Sequence, residues 1–113
     1  MGLPAVEDGF DNDELERMMD NASKATDFLK ALAHEGRLMI LCHLAGGERS
    51  VTELEELLSQ RQAAVSQQLA RLRLEGLVDS RRDGKAIYYR LADGRAREMI
   101  EVLHRMFCAP GAV

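Results

Sequence analysis

Two thiols, two imidazoles and a run of amide and hydroxyl side chains are the groups in this chain that could do chemistry. Cys42 is followed by His43, and Cys108 stands four residues after His104. Sulfur and imidazole nitrogen suit zinc or copper. Neighbours on a helix, however, point about 100° apart, so Cys42 and His43 do not converge easily. His104 and Cys108 share a helical face at i and i+4, but a histidine near a helix C-terminus is also a favourable partner for the dipole. Two cysteines cannot build a disulfide scaffold; in a reducing compartment they are buried, metal-bound or redox-active. Cys42, beside Leu38 and Leu41, also reads as a small buried apolar group. Cys108 fits that reading less well, because it ends a helix just before a tail.

A second set lies between positions 62 and 85. Ser66 and Gln67 can hydrogen-bond base edges in a major groove, with Gln62 and Ala63 entering at the start of the same helix. Glutamine reads adenine through two bonds, and Ala63 or Ala64 could touch a thymine methyl. Arg71, Arg81, Arg82 and Lys85 would hold phosphates, which adds affinity without sequence information. An exposed helix face or a charged hairpin alone is ordinary. Here, however, positions 61–73 carry no Asp or Glu in a chain otherwise rich in acids.

These groups need a frame, and hydrophobic periodicity supplies one. From Asp13 to Leu32 the positions Leu15, Met18, Met19, Ala22, Ala25, Thr26, Leu29 and Leu32 follow three-four spacing, which predicts an amphipathic helix capped by Asp11 or Asn12. Glu35 to Ala45 is apolar around most of its circumference and stops at Gly46-Gly47, so it predicts a central helix. Ser50 followed by Glu53 is a capping box that starts a short third helix striped by Leu54, Leu57 and Leu58. After the linker Ser59-Gln60-Arg61, Val65, Leu69 and Leu72 face inward on a fourth helix, with Ala63, Ser66, Gln67, Ala70 and Arg71 opposite. Two short helices joined by a tight turn make a helix-turn-helix. Val78–Arg82 and Ala86–Leu91 read as a hairpin turning at Asp83-Gly84, with Ile87, Tyr89 and Leu91 on one face. A last helix runs from about Asp93 to Cys108.

The fold class expected is therefore mainly α with a small β-hairpin: five helices and a two-stranded wing. Residues 1–12 are expected to be a disordered tail, 13–108 the DNA-binding and sensor domain, and 109–113 a C-terminal tail. The 113-residue chain carries a net charge of −4, but unevenly. Residues 1–60 sum to −8, 61–90 to +4 and 91–113 to zero, so the basic excess sits only on the fourth helix and hairpin. Local field, not net charge, decides where a polyanion docks. No apolar run approaches the roughly 18 residues that span a bilayer, and the acidic start lacks a secretion signal, so a cytoplasmic protein with no membrane partner is expected. Cys-x-x-Cys, zinc-protease and Gly-rich phosphate motifs are missing, and no base accompanies Cys108. No catalytic residue, metal site or cofactor is assigned.

As a set, Val65-Ser66-Gln67-x-Leu69, Gly76-Leu77-Val78, Arg81-Arg82-Asp83-Gly84-Lys85-x-x-Tyr88-Tyr89 and Leu32-Ala33-His34-x-x-Arg37-Leu38-x-Ile40-Leu41 resemble the ArsR family of winged-helix repressors. One departure is Glu35 or Gly36 where that family usually has proline. The resemblance covers roughly residues 20–107 and implies a homodimer paired through the first and last helices, bound to double-stranded operator DNA. It also implies an inducer site, which varies between members. The third helix, Glu53-Leu54-Glu55-Glu56-Leu57-Leu58, lacks the Cys-x-Cys of metal sensors. In the last helix Asp93 is present, but Arg95 and Met106 stand where metal-binding histidines are expected. The remaining pair, Cys42 and Cys108, is similar to that of the sulfide- and persulfide-responsive branch (BigR and SqrR types). In that branch one cysteine in each of these helices senses reactive sulfur species and derepresses genes of sulfide oxidation.

Geometry is consistent with that implication. Packed helix axes lie roughly 8–10 Å apart, whereas a direct disulfide wants Cα atoms within about 6.8 Å. A bridge lengthened by extra sulfur atoms spans such a gap with less distortion. A metal-responsive (zinc or copper) repressor and a general thiol–disulfide redox sensor stay open as alternatives.

Overall fold

The computed structural model describes residues 11–59, 62–92 and 94–108, without the side chains of Gln62 and Ala63. Residues 1–10 and 109–113, most of the two expected tails, lie outside it, as do Gln60, Arg61 and Asp93. Along the chain come α1 (Asn12–Leu32), α2 (Glu35–Ala45), β1 (Arg49–Ser50), α3 (Val51–Leu58), α4 (Gln62–Leu74), β2 (Val78–Asp83), β3 (Ala86–Leu91) and α5 (Gly94–Phe107). They divide into two compact units, Met1–Lys30 and Ala31–Val113.

In the first unit, α1 begins where Asp11 Oδ1 accepts the Glu14 amide at 2.7 Å, the first of the two caps the sequence offers. Asp13 and Glu14 in its first turn and Lys30 in its last complement the helix dipole.

The second unit is built around α2, as its all-round apolar sequence requires. Ile40, Leu41 and Leu44 are fully buried, and α2 packs against α3, α4 and α5, which bury Leu54, then Val65, Leu69 and Leu72, then Ala96 and Ile100. The capping box is formed: Ser50 Oγ accepts the Glu53 amide at 3.1 Å, and the Ser50 amide donates to Glu53 Oε1 at 2.9 Å. Ser59 closes α3 in the left-handed region.

Recognition-helix candidate α4 stops at Gly76, whose φ of +75° favours glycine. The Leu77 amide reaches back to the Leu72 carbonyl and the Gly76 amide to that of Arg73, both at 2.9 Å. This six-to-one and five-to-two pair of bonds satisfies the last carbonyls of the helix. Leu77 and Val78 then enter the core and start β2.

The expected two-stranded wing is formed by β2 and β3, and a short third strand extends its sheet. The sheet has three antiparallel strands in the order β1-β3-β2, because Arg49 and Ser50 pair with Tyr89 and Tyr88. A two-residue strand has no periodicity of its own, and the Ser50 that pairs here is the same residue that caps α3. The turn is also shifted. Asp83 pairs with Ala86, so the loop is Gly84-Lys85 rather than Asp83-Gly84. Gly84 has φ +64° while Lys85 does not enter the left-handed region. Glycine at the first of two loop positions is the arrangement of a type II′ hairpin. With α3 and α4, this hairpin completes a winged helix-turn-helix.

Candidate functional site

Two regions carry the groups singled out by chemistry. The first is the outer side of α4 with the wing. Burial of Val65, Leu69 and Leu72 leaves Ser66, Gln67, Ala70 and Arg71 exposed on the opposite side. Gln62 begins α4, but its side chain and that of Ala63 are outside the description. Arg71 pairs with Glu75 one turn on, at 3.3 Å. Gln68, between the two faces, accepts a hydrogen bond from Arg37 Nη1 at 3.3 Å, while Arg37 Nε donates to the Ala31 carbonyl at 2.6 Å. The arginine thus ties the entrance of α2 to α4.

In the wing, Arg82 and Lys85 are exposed and enter no ion pair among the described residues. Arg81 is placed differently. Its Nε and Nη2 donate to the two carboxylate oxygens of Glu48 at 2.9 and 2.6 Å. Its guanidinium carbon lies 4.7 Å from the centre of the Tyr88 ring. The hydrogen bond from Arg81 holds the Glu48 carboxyl below its ordinary range. Arg90 and Asp79 pair across the strands at 3.8 Å.

The second region is a cleft of about 650 Å³ between α2 and α5. Its wall is mostly aliphatic and aromatic, with Leu38, Ile100, Leu103 and Phe107 among the lining residues; both cysteines line it as well. Packing brings the two helices together through buried Ala96 and Ile100. Arg97 Nη1 adds a hydrogen bond to the Ala45 carbonyl at 3.0 Å, one of the orphan acceptors at the end of α2. Cys42 and Cys108 are free and exposed. Burial pushes the Cys42 thiol above its ordinary value, and the neighbouring Cys108 pushes it further. Two residues 66 positions apart in the sequence therefore come within electrostatic reach. A raised pKa lowers the thiolate fraction at any given pH, and the thiolate is the nucleophilic form.

His104 borders the same cleft but His43 does not. Among the described residues no three of His, Cys, Asp and Glu are grouped as metal ligands would be. No helix among them is long and apolar enough to cross a membrane. Sequence reasoning missed Glu48, and it gave Arg37 no bonding role beyond its place in a family motif. Glu48 meets a partner 33 positions away, a pairing that no local spacing announces.

Comparison with known proteins bears on both regions. Residues 34–80 match the family described as bacterial regulatory protein, arsR family. The biofilm growth-associated repressor of Agrobacterium fabrum is 51% identical over 96 residues, covering 85% of this chain and 82% of that protein. The structure of reduced HlyU from Vibrio cholerae superposes with a TM-score of 0.80 at 45% identity, over 83% of this chain and 99% of that one. The repressor BigR from Xylella fastidiosa gives a TM-score of 0.77 at 42% identity, over 83% and 96% of the two chains.

Proposed function

Since the chain belongs to the arsR family of DNA-binding transcriptional regulators, we propose that it is a repressor that releases its operator when Cys42 and Cys108 are bridged by reactive sulfur. The observation that carries this reading is the shared cleft, with both thiols on its wall and close enough to raise the Cys42 pKa. In the reading, two subunits pair through α1 and α5; exposed Met106 and Phe107 on α5 supply apolar surface for that contact. The paired α4 helices then enter successive major grooves about 34 Å apart. Ser66 and Gln67, with Gln62 and Ala63 at the helix start, meet base edges, and Arg71, Arg82 and Lys85 grip phosphates.

Sensing follows from sulfur chemistry. A persulfide donor RSSH transfers its outer sulfur to each thiol and leaves as RSH. One cysteine persulfide then attacks the inner sulfur of the other, closing a three-sulfur bridge and expelling hydrogen sulfide. The two electrons lost by the pair end in the released thiols and sulfide. Tethering α2 to α5 shifts the dimer geometry, and a 100-fold loss of DNA affinity needs only about 2.7 kcal/mol of coupling.

Mass spectrometry of persulfide-treated protein, run beside an operator gel shift, tests the reading. A gain of one or more whole sulfur atoms with loss of two hydrogens, together with release of DNA, supports it. Loss of two hydrogens alone would make the protein a general thiol–disulfide sensor.

A further inference from the structure

One row of side chains crosses all three strands of the sheet. Ser50 of β1 and Arg81 of β2 both pair directly with Tyr88 of β3. Directly paired residues project to the same face, so all three stand together, and Glu48, two residues before Ser50, extends that face. Arg81 lies over the Tyr88 ring and reaches past it to Glu48, in a fork of two hydrogen bonds at 2.9 and 2.6 Å. Its remaining nitrogen, Nη1, is 3.8 Å from Asp83 Oδ2. One edge of this guanidinium is thus held by the Glu48 carboxylate, a second carboxylate lies within ion-pair distance of its other nitrogen, and its face covers an aromatic ring.

We infer that Arg81 is a positioning residue of the DNA-binding surface: through Tyr88 and Glu48 it braces the wing against the segment that starts the helix-turn-helix. This departs from the phosphate contact implied by its place in the sequence. Competition for its donors and connection to the helix-turn-helix both set Arg81 apart from the other wing cations. A phosphate would have to displace a forked carboxylate already matched to the planar donor set of arginine. Lys85 and Arg82, a few residues away, present exposed charge with no such rival. The connection matters because Glu48 leads directly into Ser50, and Ser50 both pairs with β3 and caps α3. The brace therefore fixes how far the phosphate-gripping tip stands from α4, and Glu48 is as much a part of it as Arg81.

This inference uses the DNA-binding reading for one of its readouts only. Operator affinity would be measured as a function of salt for the full-length protein and for Arg81→Gln, Arg81→Lys, Glu48→Gln, the Glu48→Gln/Arg81→Gln double variant and Lys85→Gln. Each phosphate contact contributes about 0.9 to the slope of log K against log salt. A brace predicts that Arg81→Gln and Glu48→Gln each weaken binding by about threefold to tenfold with the slope unchanged, and that the double variant is no worse than either single one. Arg81→Lys should be as weak as Arg81→Gln, since lysine keeps the charge but not the fork. Lys85→Gln should lose slope. Hydrogen exchange on the free proteins should show the β2–β3 amides opening faster in both single variants, with no further increase in the double. The inference is overturned if Arg81→Gln lowers the slope as Lys85→Gln does, if Arg81→Lys restores binding, if Glu48→Gln tightens it, or if exchange in the wing does not change.

Discussion

The α2–α5 cleft and the outer surface of α4 with the wing are built in opposite ways. On the α4 and wing surface, charge and amide groups stand in solvent, and the apolar residues beneath serve only to aim them. Between α2 and α5 the wall is largely apolar, and two exposed thiols stand along it. A long polyanion is recognised by many exposed contacts, each modest. A small sulfur donor needs two atoms brought into reach of one another, and packing alone decides that. The difference teaches where each proposed function can be damaged: by surface chemistry in one region, by helix placement in the other.

A core substitution should erase the distinction. Leu41 is fully buried on α2 next to Cys42, so Leu41→Ala should cost about 2–5 kcal/mol of unfolding free energy. Thermal denaturation would show it, and both DNA binding and the thiol pairing should decline together. Substituting either thiol should separate the regions. For Cys108→Ser, operator affinity in fluorescence anisotropy should stay within about twofold of the parent, while the roughly 100-fold release by persulfide donors disappears. Release that survives in this variant would place the switch outside the cleft.

The reverse separation comes from α4. Gln67→Ala should weaken operator binding by about 1–3 kcal/mol, with discrimination lost at one base pair. The sulfur mass shift should remain as in the parent. If non-specific DNA loses affinity equally, Gln67 is not reading a base. The smallest effect is electrostatic and internal to the cleft. Because the Cys42 thiol is raised first by burial and then by Cys108, its thiolate fraction at any given pH is smaller in the folded than in the unfolded protein. Iodoacetamide labelling of Cys42 should therefore climb at higher pH in the folded state. In Cys108→Ser that rise should move part of the way back, and an unmoved profile would mean the two sulfurs do not sense each other.

Legibility followed the same divide. The α4 face could be read because its two sides obey helical periodicity: Val65, Leu69 and Leu72 are buried, Ser66 and Gln67 exposed. The Ser50–Glu53 capping box and the limits of α2 were equally local. Strand β1 was not, since its two residues become a strand only by meeting Tyr88 and Tyr89. Nor was the role of Glu48, whose partner depends on the sheet closing first. The cysteine pair lies between these cases. Each thiol was visible, but their sharing of a wall is a property of packed helices, and only family resemblance anticipated it. The turn missed by one residue because Asp83-Gly84 and Gly84-Lys85 are both acceptable glycine turns, and cross-strand register chose between them.

Between the last residue of α4 and the first of β2 there are only three residues, locked by two backbone hydrogen bonds around Gly76. In the proposed function, the helix offered to the groove and the arm offered to the adjoining sugar-phosphate rail would thus travel as one casting, without slack to adapt separately. Operator spacing would then be read by α4 and the wing as a rigid gauge, and any tilt of one would reach both points of contact at once.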